Sequence, residues 1–178
     1  MSSLLSPRRC FVAIALLAAA AMAFALYLDN VLGLVPCPLC MTQRLFVCAC
    51  GLVALIAAIH GPAMLVRRVY AGLALLFAAV GGGVAARHVY LQHLPEELAP
   101  ACGPGLEYML ENFPFTETLK LILMGDGNCA EVVWTFLGLS IPEQTLILFC
   151  VLSAACIWQL LRGELIQTDA GEQQRATS

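Results

Sequence analysis

Residues 10–44 read CFVAIALLAAAAMAFALYLDNVLGLVPCPLCMTQR, and the part from Cys10 to Leu28 contains no charged residue. A bilayer core is crossed by about 20 apolar residues of helix, so this run predicts a membrane span. It breaks at Asp29-Asn30, passes Gly33 and Pro36, and delivers the C-x-x-C pair Cys37-Pro38-Leu39-Cys40 just before a second apolar run. Such a pair can make, break or pass on a disulfide, because its sulfurs lie close enough to bridge and one can be held as a thiolate. Placed between two spans, it faces water while touching the lipid phase.

The whole chain follows the same pattern. Its 178 residues are 61% hydrophobic and 12% charged, with a mean hydropathy of +0.85, whereas soluble domains carry about 25% charged residues. Three more charge-poor windows follow: Leu45 to Ile59 (extending back to Met41 with Arg44 at the interface), Val69 to Ala86, and Thr145 to Leu161. Gly72 and Gly81-Gly82-Gly83 in the third are tolerated in membrane helices and let backbones approach closely. The expectation is an all-α integral membrane protein, a bundle of four transmembrane helices spanning about residues 10–28, 41–60, 69–86 and 144–161. Residues 1–162 form one domain with outer loops 29–40 and 87–143, and the polar tail 163–178 reads as a disordered end. Ser6-Pro7-Arg8-Arg9 and Ala21-Met22-Ala23 imitate a cleavable export signal, but the apolar core exceeds the usual length of roughly 7–15 residues and three spans follow. A retained first helix is expected. With net charge −3 and no basic, aromatic-interleaved patch, nucleic acid is excluded as a partner.

Arginine placement orients the bundle. Arg8, Arg9, Arg67, Arg68, Arg162 and Arg175 fall on one side, against Arg87, Lys120 and the boundary residue Arg44 on the other. The positive-inside rule puts both termini and the loop from Gly61 to Arg68 in the cytoplasm. Both cysteine-bearing loops then face outward, into the periplasm of a Gram-negative cell, where disulfides persist.

The cysteines sort by context. Cys10, Cys48, Cys50, Cys150 and Cys156 lie in or beside apolar runs, where free cysteine acts as a small buried hydrophobe. Cys37, Cys40, Cys102 and Cys129 lie in polar, turn-rich connections and are the candidates for chemistry. Glycine and proline around Cys102 and Cys129 predict exposed turns, and the two serve either as a redox pair or as a static staple. Between them Leu106, Met109, Leu110 and Phe113 recur at helical spacing, and a second apolar patch covers Leu119 and Leu121 to Met124. This predicts a short amphipathic segment in the membrane interface or packed on the helix ends.

A zinc site commonly joins two close cysteine or histidine pairs; only one close pair exists here, and no metal is expected. Arg44 follows Cys40 by one helical turn. A boundary arginine is costly and a functional candidate by default, although it can also snorkel to the headgroups. Its charge would favour the Cys40 thiolate, and its N–H groups can hold a carbonyl oxygen. His88, at the outer end of the third span, offers a proton or hydrogen bond at similar depth. No Ser/His/Asp set, phosphate cradle or metalloprotease signature is present.

Cys37-Pro38-Leu39-Cys40 followed by Gln43-Arg44, then Gly127-Asn128-Cys129-Ala130-Glu131 and Trp134-Thr135-Phe136-Leu137-Gly138-Leu139 ahead of Pro142, resemble the DsbB family. These are bacterial inner-membrane proteins that reoxidise the periplasmic thioredoxin-fold oxidase DsbA. The resemblance covers nearly the whole chain except the tail. It implies a relay in which reduced DsbA attacks a Cys102–Cys129 disulfide at Cys102, and Cys129 then attacks the Cys37–Cys40 pair at Cys37. Cys40 is left as a thiolate beside a quinone, ubiquinone or menaquinone, which takes two electrons from the dithiol. Arg44 would bind that quinone, and His88 matches a histidine near the family's quinone pocket. Gln43 stands where some members carry an acid. DsbA lies at about −120 mV and ordinary structural disulfides below about −300 mV. The gap of roughly 180 mV, about 8 kcal/mol for two electrons, requires unusually oxidising disulfides or a forward pull from quinone reduction. Two other readings are a reductase of the vitamin K epoxide type, whose C-x-x-C sits elsewhere along the chain, and a membrane scaffold merely stapled by its loop disulfides.

Overall fold

The computed structural model describes residues 6–95, 108, 111–125 and 127–176. Among them, four helices are long and apolar enough to cross a membrane: α1 (Pro7–Asn30), α2 (Pro38–His60), α3 (Met64–Gln92) and the Ile141–Arg162 part of α6 (Ile141–Ala176). Between α3 and α6 lie α4 (Phe115–Met124), the single turn α5 (Gly127–Ala130), and a hairpin of β1 (Thr135–Phe136) and β2 (Leu139–Ser140). The strands pair antiparallel, Thr135 opposite Ser140 and Phe136 opposite Leu139. Their turn places Leu137 and Gly138 at φ 54° and 81°, the left-handed pair that matches the twist of a two-residue hairpin loop.

Small residues set the helix spacing. Ala71, Ala74, Ala78, Gly81 and Ala85 recur three and four residues apart as the buried stripe of α3, letting α2 and α6 approach closely. At Gly81 a Cβ would collide with the Phe149 ring of α6 and with Cβ of Phe46 on α2, so this glycine makes room for Phe149. Large apolar side chains such as Leu16, Leu45, Leu52, Ile59 and Leu76 are exposed around the outside, as a bilayer solvent requires. Helix α3 packs against both α2 and α6, and α2 against α1, while α1 and α6 touch only lightly.

The arginine-rich end of the bundle is tied by polar contacts. Arg8 Nε donates to the Ala58 carbonyl at 2.9 Å and Gln159 Nε2 to the Pro7 carbonyl at 2.7 Å. The cysteine-bearing connections lie at the other end.

The helices run longer than hydropathy suggests. Helix α2 begins at Pro38 rather than near residue 41, because proline at the first helical position has its φ pre-set and lacks only an N–H that would be unpaired anyway. Helix α3 extends through Arg67 and Arg68 at its start and through Arg87 and His88 at its end; exposed Arg87 reaches water from inside the helix, whereas buried His88 finds its partners within the bundle. The backbone of α6 is helical through Ala176. Glu164, Leu165, Gln167, Ala170 and Glu172 in that segment are good helix formers. Helix α4 coincides with the second apolar patch, whereas Leu106, Met109 and Leu110 of the first lie outside the described residues.

Candidate functional site

The C-x-x-C pair opens α2. Cys37 is its N-cap, with Sγ accepting from the Cys40 N–H at 3.4 Å, so the first turn holds the two residues together. From Cys40 the helix continues to Gln43, Arg44 and Val47, a spacing that puts all four on one face.

His88 faces this pair because the small-residue stripe of α3 continues into it, leaving it buried at 2% exposure. Its Nε2 donates to the Cys129 carbonyl at 3.1 Å, and its Nδ1 accepts from Gln43 Nε2 at 3.0 Å. Both contacts are satisfied by one neutral tautomer, protonated on Nε2. Cys37 Sγ lies 3.8 Å from Nε2, and Cys40 Sγ 4.0 Å from Nδ1. The imidazole therefore touches both cysteines of the pair and the backbone of a third.

Cys129 arrives from the distant connection between α3 and α6. It is fully buried with Leu39, Val84 and Leu91, which corrects the expectation of an exposed turn: apolar neighbours on α2 and α3 cover the sulfur. Cys37 Sγ, Cys129 Sγ and a ring nitrogen of His88 lie within 4.8 Å of one another. Among the four loop cysteines, spacing along the chain offers only one close pair, and folding adds this grouping to it. Three contacts seat the segment. Gly125, at φ 76°, presses on Leu91 and Leu39 where a Cβ would not fit, Arg87 donates to the Met124 carbonyl at 3.3 Å, and Gln92 to the Glu131 carbonyl at 3.4 Å. Cys102 lies outside the described residues.

Arg44 does not turn its fork towards the sulfurs. It forms a two-pronged ion pair with Asp29 at the end of α1, with Nη2 donating to Oδ1 at 2.8 Å and Nη1 to Oδ2. Asp29 is not among the residues that motif and spacing single out; its one signal is an acid at one span's end facing an arginine at the next span's start. Gln43, which the motif includes without giving it a role, gains one here. It is 2% exposed and positions His88.

A cavity of about 720 Å³ opens beside these groups, lined by Cys37, Cys40, Gln43, Arg44, Asp29 and His88 at its polar end. Met22, Ala25, Val47, Pro142 and Leu148 supply apolar wall. Trp134 borders it; its ring meets Phe24 of α1 at 5.9 Å and stacks on Phe136 of the hairpin at 6.0 Å. The size falls within the roughly 300–1,000 Å³ of small-molecule pockets.

The remaining described cysteines stand apart. Cys48 and Cys150 are exposed on outward faces, and buried Cys50 and Cys156 belong to one apolar cluster inside the bundle.

A family model described as "Disulfide bond formation protein DsbB" matches residues 7–159. Relatives named Disulfide bond formation protein B are similar over most of their length. The one from Saccharophagus degradans is 59% identical over 138 residues, covering 78% of this chain and 83% of its own. The one from Stutzerimonas stutzeri is 52% identical over 159 residues, covering 89% and 98%, and that from Methylococcus capsulatus is 51% identical over 159 residues, covering 89% and 97%.

Proposed function

This chain belongs to the DsbB family of disulfide bond formation proteins, and on that footing we propose that it is a thiol:quinone oxidoreductase of the bacterial inner membrane that reoxidises a periplasmic DsbA-type dithiol. The observation that carries the reading is the approach of Cys129 to Cys37, within 4.8 Å sulfur to sulfur. Disulfide exchange needs one sulfur beside another, and a small closure brings these to the roughly 3–3.5 Å of a reactive encounter.

In the proposed cycle a thiolate of the partner attacks Cys102 of a Cys102–Cys129 disulfide and Cys129 leaves as thiolate. The partner's second thiolate attacks its own sulfur in the mixed disulfide, so the partner departs oxidised and Cys102 is released. Cys129 attacks Cys37, and the Cys37–Cys40 bond breaks with Cys40 as leaving thiolate. Cys102 then attacks Cys129, restoring the loop disulfide and leaving Cys37 and Cys40 reduced. His88 holds the Cys129 backbone against Cys37 throughout, and Gln43 fixes the imidazole.

The cavity fits a quinone: its size suits a ring, its walls are apolar, and Arg44, Gln43 and His88 bring hydrogen-bonding groups to the end where Cys40 lies. A bound quinone supplies the sink for two electrons and two protons, returning Cys37 and Cys40 to a disulfide. Asp29 keeps the Arg44 guanidinium in place at the cavity edge, and the Trp134 segment limits water.

The test is anaerobic turnover of the purified protein with a reduced DsbA-type dithiol and a soluble quinone. Quinone loss that requires Cys40 and Cys129 is expected. Equal turnover by Cys40→Ser, or none by the unaltered protein, would overturn the reading.

A further inference from the structure

We propose that the fully reduced protein binds one thiophilic divalent cation, with zinc as the test ion, through Cys37 Sγ, Cys129 Sγ and His88 Nε2. The bound ion would hold the redox centre in its dithiol form. The site stands on geometry; only its regulatory consequence rests on the thiol-oxidase reading.

Three donors of the right chemistry converge. Thiolate and imidazole are the ligands zinc prefers, at about 2.3 Å for sulfur and about 2.0–2.1 Å for nitrogen. A tetrahedral ion then wants its ligand atoms roughly 3.6–3.8 Å apart. Cys37 Sγ already stands 3.8 Å from His88 Nε2, and the two sulfurs and a ring nitrogen of His88 lie within 4.8 Å of one another. The donors come from α2, α3 and α5, so the helix bundle builds the site and no single segment could. Cys37 and His88 also line the cavity, so an ion can approach from there, while Cys129 supplies its sulfur from the buried side.

His88 must change tautomer to ligate through Nε2, and its surroundings allow this. The proton moves to Nδ1, and the contact from Nε2 to the Cys129 carbonyl gives way to the metal bond. Gln43, which now donates to Nδ1 at 3.0 Å, can turn its amide and accept through Oε1. A ligating histidine almost always has such a partner on its other nitrogen. A glutamine serves both tautomers.

Binding moves no electrons. Two thiols and a neutral imidazole take up the ion and release two protons. With Cys37 bonded to Cys40 no thiolate is offered there, so the oxidised protein has no site. The ion therefore selects protein that is receiving electrons faster than it passes them on, and it blocks the two sulfurs between which exchange must run.

The experiment uses full-length protein in detergent, reduced and freed of reductant under anaerobic conditions. Zinc is titrated against a chromophoric chelator, and cobalt(II) reports ligand type through its thiolate charge-transfer and tetrahedral d–d bands. One equivalent is expected in the reduced protein and none in the quinone-oxidised protein. Cys48→Ser with Cys150→Ser should leave binding unchanged. Cys37→Ser or Cys129→Ser should abolish the one-equivalent step, and Gln43→Leu should weaken it by about 10–100-fold. Circular dichroism checks that each variant keeps its helix content, and the two independent cysteine variants guard against misfolding of one. Equal binding by oxidised protein, loss of binding with Cys48 and Cys150, or absence of the thiolate charge-transfer band would overturn the proposal. Neither partner nor quinone turnover enters the readout, so zinc binding without quinone reduction would sink the functional reading alone. Quinone reduction without zinc binding would sink only this one.

Discussion

His88 Nε2 donates to the carbonyl of Cys129 at 3.1 Å, so a side chain on the third membrane helix holds the backbone of a residue in the following connection. This bond places the Cys129 sulfur beside Cys37. Replacing His88 with Asn should slow thiol exchange between Cys129 and Cys37 by about 10–100-fold, the usual effect of a misplacement near 1 Å. Rapid-quench trapping with an alkylating agent would measure the exchange directly. An unchanged rate would mean that the contact positions nothing.

Asp29 and Arg44 should behave as a unit. Asp29→Asn leaves a partly buried guanidinium without its carboxylate, and Arg44→Gln does the converse. A double-mutant cycle on thermal or denaturant stability should give a coupling of about 1.5–3 kcal/mol, the range of hydrogen bonds to charged groups. Arg44→Lys should recover only part of it, because an ammonium cannot make the two-pronged contact.

Gly125 is the point at which the connection after α4 rests on Leu39 and Leu91. Gly125→Ala meets both a left-handed backbone and occupied space, and should lift this segment at about 1–3 kcal/mol. The readout is alkylation of Cys129, which is buried in the native protein and should react faster in the variant. Cys50 and Cys156, buried in a separate apolar cluster between the helices, should stay protected.

Gly81→Ala should loosen the bundle itself. The new Cβ meets the Phe149 ring and Phe46, an overpacking that typically costs about 1–3 kcal/mol. Adding Phe149→Leu should restore part of the loss. A lower thermal midpoint for the single variant, partly recovered in the double, is the expected pattern.

Much of this architecture is local and therefore legible. A bilayer offers no hydrogen bonds, so each crossing segment must satisfy its own backbone as a helix, and its apolar length can be read from consecutive residues. Pro38 after Cys37 likewise marks a helix start. Helix ends are less legible, because Arg67, Arg68, Arg87 and His88 look like loop residues by charge yet lie inside α3.

Consecutive residues are enough to establish four apolar helices, a C-x-x-C pair at the start of the second, and two further cysteines in the long connection before the fourth. Which of these groups meet is a property of the folded bundle. His88 reaches Cys129 across 41 residues and Cys37 across 51, and Arg44 reaches Asp29 across 15. Such contacts depend on how helices rotate and pack about the small-residue stripe of α3, and on Gly125 letting a distant segment settle over Leu39. Neither is encoded in the spacing of the residues that finally touch.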